Sequence, residues 1–115
     1  MALPLLVRTL AEKKVAEFCK WRVPARARDM VKLSYKFRGN SVTLFEERAP
    51  RHESLKEWSR MAIAQMRYDA KTGEWTLYCA DRNDRWHEYF DVLPAKKMDE
   101  LLKEIDHDPT GIFWG

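Results

Sequence analysis

The side chains able to hold a metal ion are His52, His87, His107, Cys19, Cys79, Asp106 and Asp108. No pair of them has zinc-finger spacing, and neither His-x-x-x-His nor Cys-x-x-Cys occurs. His107 follows a helical pattern and suits the negative end of a helix dipole. Asp108 precedes a proline and is expected to cap its own turn. A hydrolase would need a nucleophile held against a base, but there is no Gly-x-Ser-x-Gly. There is no glycine-rich phosphate loop either, since Gly39, Gly73, Gly111 and Gly115 mark turns and the end of the sequence. Glu46, Glu47, Asp81 and Asp84 offer carboxylates for a nuclease. They neighbour Arg48, Arg82 and Arg85, which points to surface ion pairs worth about 0–1 kcal/mol each. The expectation is no catalytic set, no metal and no cofactor.

Aromatic rings and cations form the more suggestive constellation. Phe45, Tyr78 and Tyr89, with His87 beside them, are expected on one open sheet face together with Lys32, Lys36, Arg38 and Arg67. Rings offer stacking surfaces to unpaired bases, and cations offer charge to phosphates. The same composition suits a homodimer or protein–protein interface. Single-stranded nucleic acid is the first expected partner, and a second copy or another protein the alternative.

This constellation requires particular elements. Residues 31–38 alternate, with Val31, Leu33, Tyr35 and Phe37 on one side and Lys32, Ser34, Lys36 and Arg38 on the other, as in a half-buried strand. Gly39-Asn40 reads as a tight hairpin turn into a second strand, 41–48. A two-residue loop sets Phe37 opposite Val42, Tyr35 opposite Leu44 and Ser34 opposite Phe45. A polar loop follows, with a helical turn expected around Ser54–Trp58. A third strand, about 60–68, is expected to place Ala62, Ala64, Met66 and Tyr68 on one face and Ile63, Gln65 and Arg67 on the other. The fourth strand, 74–79, turns Trp75, Leu77 and Cys79 inward and Thr76 and Tyr78 outward. In the fifth, 85–90, the alternation leaves both facings open, because one bulge exchanges them.

Helices flank the strands. Thr9 and Glu12 have capping-box spacing and predict a helix from about 10 to 21, ended before Pro24. Pro94 is expected to open a last helix with an apolar stripe of Met98, Leu101, Leu102 and Ile105. Asp108-Pro-Thr-Gly111 is a turn signal, and the aromatic pair Phe113-Trp114 is expected to dock on the core or the sheet edge. The fold class is therefore α+β: a five-stranded antiparallel β-meander flanked by an N-terminal and a C-terminal helix, in two layers. At 115 residues it is expected to form a single domain over 1–115.

Composition sets outer bounds. The 45% hydrophobic and 34% charged content is that of a globular chain. The net charge of +3 is mild, yet the first forty residues hold ten Lys or Arg against three Asp or Glu. The remainder reverses that balance, so the halves either neutralise one another or leave a basic strip. The five tryptophans, Trp21, Trp58, Trp75, Trp86 and Trp114, are enough to build core and contact surface alike. The two cysteines are expected to be buried and reduced. The opening Met-Ala-Leu-Pro-Leu-Leu-Val-Arg is short, broken by Pro4 and lacks a basic lead, unlike a secretory signal. No apolar run reaches bilayer-spanning length, so no membrane partner and a cytoplasmic location are expected.

Several stretches of wording also resemble a known family: Ser41-Val-Thr-Leu-Phe-Glu46, Ala64-Gln-Met-Arg-Tyr68, Glu74-Trp-Thr-Leu-Tyr78, Asp81-Arg-Asn83 with Trp86-His87, and Glu104-Ile-Asp-His-Asp-Pro-Thr-Gly-Ile-Phe-Trp-Gly115. They are similar to small bacterial proteins grouped as a domain of unknown function. The resemblance covers most of the sequence after about residue 30, and its last eight residues are the most specific part. It implies a bacterial, stand-alone, cytosolic protein and supplies no activity, cofactor or site residue.

Overall fold

The computed structural model describes residues 3–51 and 57–114, so His52 and the expected turn around Ser54–Trp58 lie outside the described residues, apart from Glu57 and Trp58. Helix α1 spans Leu5–Arg22, followed by a single 3-10 turn at Ala25–Ala27. Strands β1 (Val31–Arg38), β2 (Ser41–Arg48), β3 (Ser59–Asp69), β4 (Glu74–Ala80) and β5 (Trp86–Glu88) come next, then helix α2 (Met98–His107). The strands form one sheet in the order β1-β2-β3-β4-β5, antiparallel throughout. This is the expected α+β meander between two helices. Both helices lie on one side, α1 over β1 and α2 over β4, and the other side of the sheet is uncovered.

The β1–β2 hairpin has the register its alternation demands: Phe37 faces Val42, Tyr35 faces Leu44, and Ser34 faces Phe45. Of the two turn residues only Gly39 takes the left-handed region, at φ 58°, where a Cβ would be strained. Val42 and Leu44 are fully buried beneath the helices. With Ala11, Val15 and Phe18 of α1, Leu101 and Ile105 of α2, and Met66 and Leu77 of the sheet, they make the core. Each large side chain of this set contributes roughly 1.5–3 kcal/mol by leaving water.

Strand β3 departs from strict alternation. Leu44 pairs with Ala64 but Phe45 pairs with Ala62, so Ile63 is an extra residue, a β-bulge. Ile63 and Ala64 are consecutive and both buried. The expectation that Ile63 shares a face with Gln65 and Arg67, and Ala62 with Ala64, is therefore corrected. Upstream of the bulge the phase inverts, turning Ala62 and Arg60 outward and Met61 to the helices' side, where it stays exposed.

The helix boundaries also differ from expectation. α1 begins at Leu5, after Pro4, because Leu3 and Val7 have core to pack against. Thr9 is consequently no cap: its hydroxyl donates to the Leu5 carbonyl at 2.9 Å. Glu12 accepts instead from the Tyr35 hydroxyl at 3.1 Å. α2 begins at Met98 rather than Pro94 because Ala95 is held extended. It exchanges two backbone bonds with Trp75, of 2.7 and 3.0 Å, on the β4 edge that β5 covers farther along. The stripe of Met98, Leu101, Leu102 and Ile105 is buried as expected.

After α2 the segment folds back. Asp108 takes φ 44° and donates its N–H to the Glu104 carbonyl, and Gly111 N–H closes the Pro turn onto the Asp108 carbonyl. The Asp108 carboxylate accepts from the N–H groups of Phe113 (3.1 Å) and Trp114 (2.8 Å). Phe113 is buried against Tyr89, and the Trp114 indole donates to the Ile105 carbonyl at 2.6 Å. The aromatic pair thus docks on the core. Cys19 and Cys79 are free, and burial pushes the Cys19 thiol up to about 11 and the Cys79 thiol up as well.

Ile63→Ala is expected to cost about 2–5 kcal/mol, the range for emptying a buried aliphatic site, read as a lower urea midpoint. Deleting Ile63 would leave an unbroken ladder with Ala62 still opposite Phe45 and Arg60 still outward, so it is expected to lower the midpoint through the lost buried side chain while unfolding stays cooperative. A deletion variant with the parental midpoint would show that the extra residue is dispensable.

Candidate functional site

The uncovered face is built by three cross-strand rows. Lys32, Glu47 and Arg60 form the first. Lys36, Thr43, Gln65, Tyr78 and Glu88 form a row across all five strands, and Arg38, Ser41, Arg67 and Thr76 form another. Between the first two lie Ser34, Phe45 and Ala62, with Ala80 and Trp86 on β4 and β5. Among the described strand residues, five cations, Lys32, Lys36, Arg38, Arg60 and Arg67, thus share the face with four acids, Glu47, Asp69, Glu74 and Glu88.

The rings on this face carry cations. The Arg60 guanidinium lies 4.0 Å from the centre of the Phe45 ring, and that of Arg67 lies 3.9 Å from Tyr78. Lys32 Nζ sits 4.6 Å from the ring centre of Trp58. Such contacts contribute about 0.5–1 kcal/mol where exposed. Gln65 links the rows: its Nε2 donates to Thr43 Oγ1 at 2.9 Å, and its Oε1 accepts from Arg67 Nε at 2.7 Å. Arginine only donates, so this bond fixes which way the amide points.

A depression of about 290 Å³ opens in the middle of the face. The short side chains of Thr43 and Ala62 belong to its lining, together with the rings of Phe45 and Trp86 and the cations Lys36, Arg38 and Arg60. Among the described residues, no acidic one lines it. A second depression, about 430 Å³, adjoins Arg67 and Tyr78 and reaches Lys71, Asn40 and the acid Asp69.

Of the expected site residues, Lys32, Lys36, Arg38, Phe45, Arg67 and Tyr78 do share the uncovered face. Lys36, Arg38 and Phe45 meet at the first depression, Arg67 and Tyr78 at the second, and Lys32 stands apart over Trp58. Tyr89 is a correction. It is buried under α2, its ring 5.0 Å from that of Phe113, and its hydroxyl donates to Glu104 at 2.6 Å. The reason is the phase of β5: Ala80 pairs with Trp86 and Tyr78 with Glu88, so those two face outward while His87 and Tyr89 face the helices' side. His87 is corrected too. It lies opposite Cys79 at the rim, its ring 2.7 Å from Asp81.

Trp86 and Arg60 are the site residues that sequence reasoning misses. Trp86 belongs to one of two alternating sets that the sequence leaves open, whereas Arg60 depends on a bulge that no residue type announces.

The remaining candidates do not converge. Among the described residues, no three His, Cys, Asp or Glu side chains are grouped as a metal site needs. Glu46 pairs with Arg48 at 2.8 Å. Asp81 holds its loop: the Arg85 N–H first, then the His87 ring and the Asn83 N–H, pull its carboxyl below the usual value. No helix among the described residues is long and apolar enough to cross a membrane.

The chain belongs to the family described as Domain of unknown function (DUF3024), whose model matches residues 3–115. No curated protein matches it, and no solved structure does.

Burial first, and then the bond to Glu104, push the Tyr89 hydroxyl from its usual 10.0 up to about 12. A raised acid of this kind contributes stability that is whole below pH 10.0 and is lost as pH rises through about 12. An ultraviolet pH titration is expected to show one tyrosine ionising near 12, absent in Tyr89→Phe. That variant is expected to lose less stability over the same alkaline interval, and equal loss in both proteins would refute the assignment.

Proposed function

We propose that this DUF3024 protein binds single-stranded nucleic acid on its uncovered sheet face. The observation that carries the reading is the central depression, where Phe45 and Trp86 stand beside Lys36, Arg38 and Arg60 with no acid among the described residues that line it. An unpaired base needs a flat partner for its ring, and the linked phosphates need cations within reach. Single strands are favoured over duplex because only unpaired bases can lie flat on a sheet.

The guanidinium groups over Phe45 and Tyr78 assist rather than block this binding. A guanidinium plane is itself a stacking surface for a base, so each pair presents a cation already held in place. Gln65 and Thr43 lie between the two depressions, where their polar groups meet a strand running from one to the other. The cytoplasm of a bacterial cell is the compartment proposed, and the two unpaired, shielded thiols suit its reducing conditions.

Fluorescence anisotropy with mixed-sequence single-stranded oligonucleotides tests the proposal. Binding is expected to weaken steeply between about 50 and 200 mM salt. Lys36→Glu and Arg60→Glu are each expected to weaken it and to flatten the salt dependence, by about 0.7 in log–log slope for each phosphate no longer neutralised. Trp86→Ala is expected to cost about 1–3 kcal/mol, with the slope unchanged. Absence of binding at low salt, or binding indifferent to Lys36→Glu, would end the proposal.

A further inference from the structure

The helical side of the molecule presents a groove. It runs along α1 and has two depressions that share Lys14. The larger, about 280 Å³, lies between Phe18 and Trp21 of α1 and Leu102 of α2. The smaller, about 150 Å³, lies between Val7 and Leu10 of α1 and Trp75 and Met98 beyond. Each depression has one large apolar residue standing out of it: Leu10 is 53% exposed and Trp21 58%. Trp21 is held edge-on against Phe18, with ring centres 5.3 Å apart, so its position is fixed before any partner arrives.

The order of residues along this groove identifies the occupant. Leu10, Lys14, Glu17 and Trp21 follow one another at spacings of four, three and four, the seam of a helix that packs lengthwise on another helix. The seam is apolar at both ends and carries opposite charges in its middle. Lys14 is bonded to Asp99 of α2. Glu17 has no ion pair among the described residues.

A second α1 laid antiparallel about a two-fold axis between residues 15 and 16 sets Leu10 on Trp21 of the second copy. It also sets Lys14 on Glu17 of the second copy, and each relation holds in reverse, as an isologous contact requires. A parallel arrangement would oppose Lys14 to Lys14 and Glu17 to Glu17. The two apolar anchors lie about 16 Å apart along the helix, one for each depression.

We infer that the chain forms a two-fold dimer through this groove, each copy supplying Trp21 to the Leu10 end of the other. Asp99, Lys14 and Glu17 of the second copy then make an alternating charge row at the centre. The contact lies on the side of the sheet opposite the uncovered face, so both outer faces stay open. The inference is independent of the proposed nucleic-acid binding.

Sedimentation velocity across a concentration series tests it, with circular dichroism as the control for folding. The wild-type chain is expected to shift from monomer to dimer as concentration rises. Trp21→Glu and Glu17→Lys are each expected to weaken dimerisation at least tenfold with the fold retained. Should Trp21→Glu fail to fold, Glu17→Lys decides, because Glu17 is exposed and makes no side-chain hydrogen bond or ion pair among the described residues. In a mixing experiment, Leu10→Cys protein is expected to cross-link with Trp21→Cys protein more readily than with itself. A strict monomer at all concentrations would overturn the inference and leave the groove to a different partner. A dimer indifferent to Glu17→Lys would overturn it too, as would equal cross-linking of Leu10→Cys with itself.

Discussion

The phase of β3 is the constraint on which the two faces depend. A strand's side chains alternate, so a bulge shifts the odd–even phase of everything on one side of it. Ile63 makes that bulge. Downstream, Ala64 and Met66 sit with the core and Gln65 and Arg67 face outward; upstream, Ala62 and Arg60 face outward. Were the same residues to alternate strictly through Ile63, Arg60 would point toward the helices and Phe45 would lose the guanidinium above its ring. The bulge also places a small residue, Ala62, opposite Phe45, which contributes to the depression beside that ring. A single buried isoleucine therefore links core packing to the chemistry of the opposite surface.

The helices are tied to the sheet by a repeated device. On β1, Tyr35 donates its hydroxyl to Glu12 of α1, and beyond β5, Tyr89 donates to Glu104 of α2. In each case a ring fills the space between layers while its polar tip finds a carboxylate at the margin, so no tyrosine hydroxyl is stranded. Burial leads in raising both hydroxyls' proton affinity, and the neighbouring carboxylate adds to it. The ties fall at opposite edges of the sheet and so resist rotation of either helix. Arg8 over Phe37 and Arg22 over Trp114 extend the pattern at the ends of α1.

Much of this architecture is legible in the sequence, for physical reasons. The 31–48 hairpin follows from clean alternation and a glycine turn, and its register follows from loop length. The α2 stripe and the Asp108 turn follow from spacing and from proline and glycine placement. What escapes depends on distant partners. Thr9 and Glu12 have the spacing of a cap, yet Leu3 and Val7 find core contacts that draw α1 one turn earlier. Pro94 is a permissible helix start, yet Trp75 claims the backbone of Ala95. At the site, Lys36, Arg38 and Phe45 are legible because they lie within one hairpin. Arg60 and Trp86 are not, since their facing is set by a bulge and by the pairing of a three-residue strand. Tyr89 is misassigned for the latter reason.

The wording that resembles the family most specifically, Asp108-Pro-Thr-Gly-Ile-Phe-Trp114, does architectural work on the side away from the candidate site. Asp108 turns the chain and holds two successive N–H groups, which aims Phe113 at Tyr89 and Trp114 at the end of α2. Trp114 then binds the Ile105 carbonyl, satisfying one of the acceptors a helix leaves open at its end. Arg22, at the end of α1, lies 4.6 Å from the Trp114 ring centre and 3.0 Å from Asp106, the latter an ion pair out of line for a hydrogen bond. One short segment thus closes α1, α2 and the segment after β5 onto a single point. A motif of this kind identifies the fold sharply and says little about a ligand. The residues that would meet a ligand, Lys36, Arg60 and Trp86 among them, are ordinary in type and owe their meaning to the sheet that assembles them.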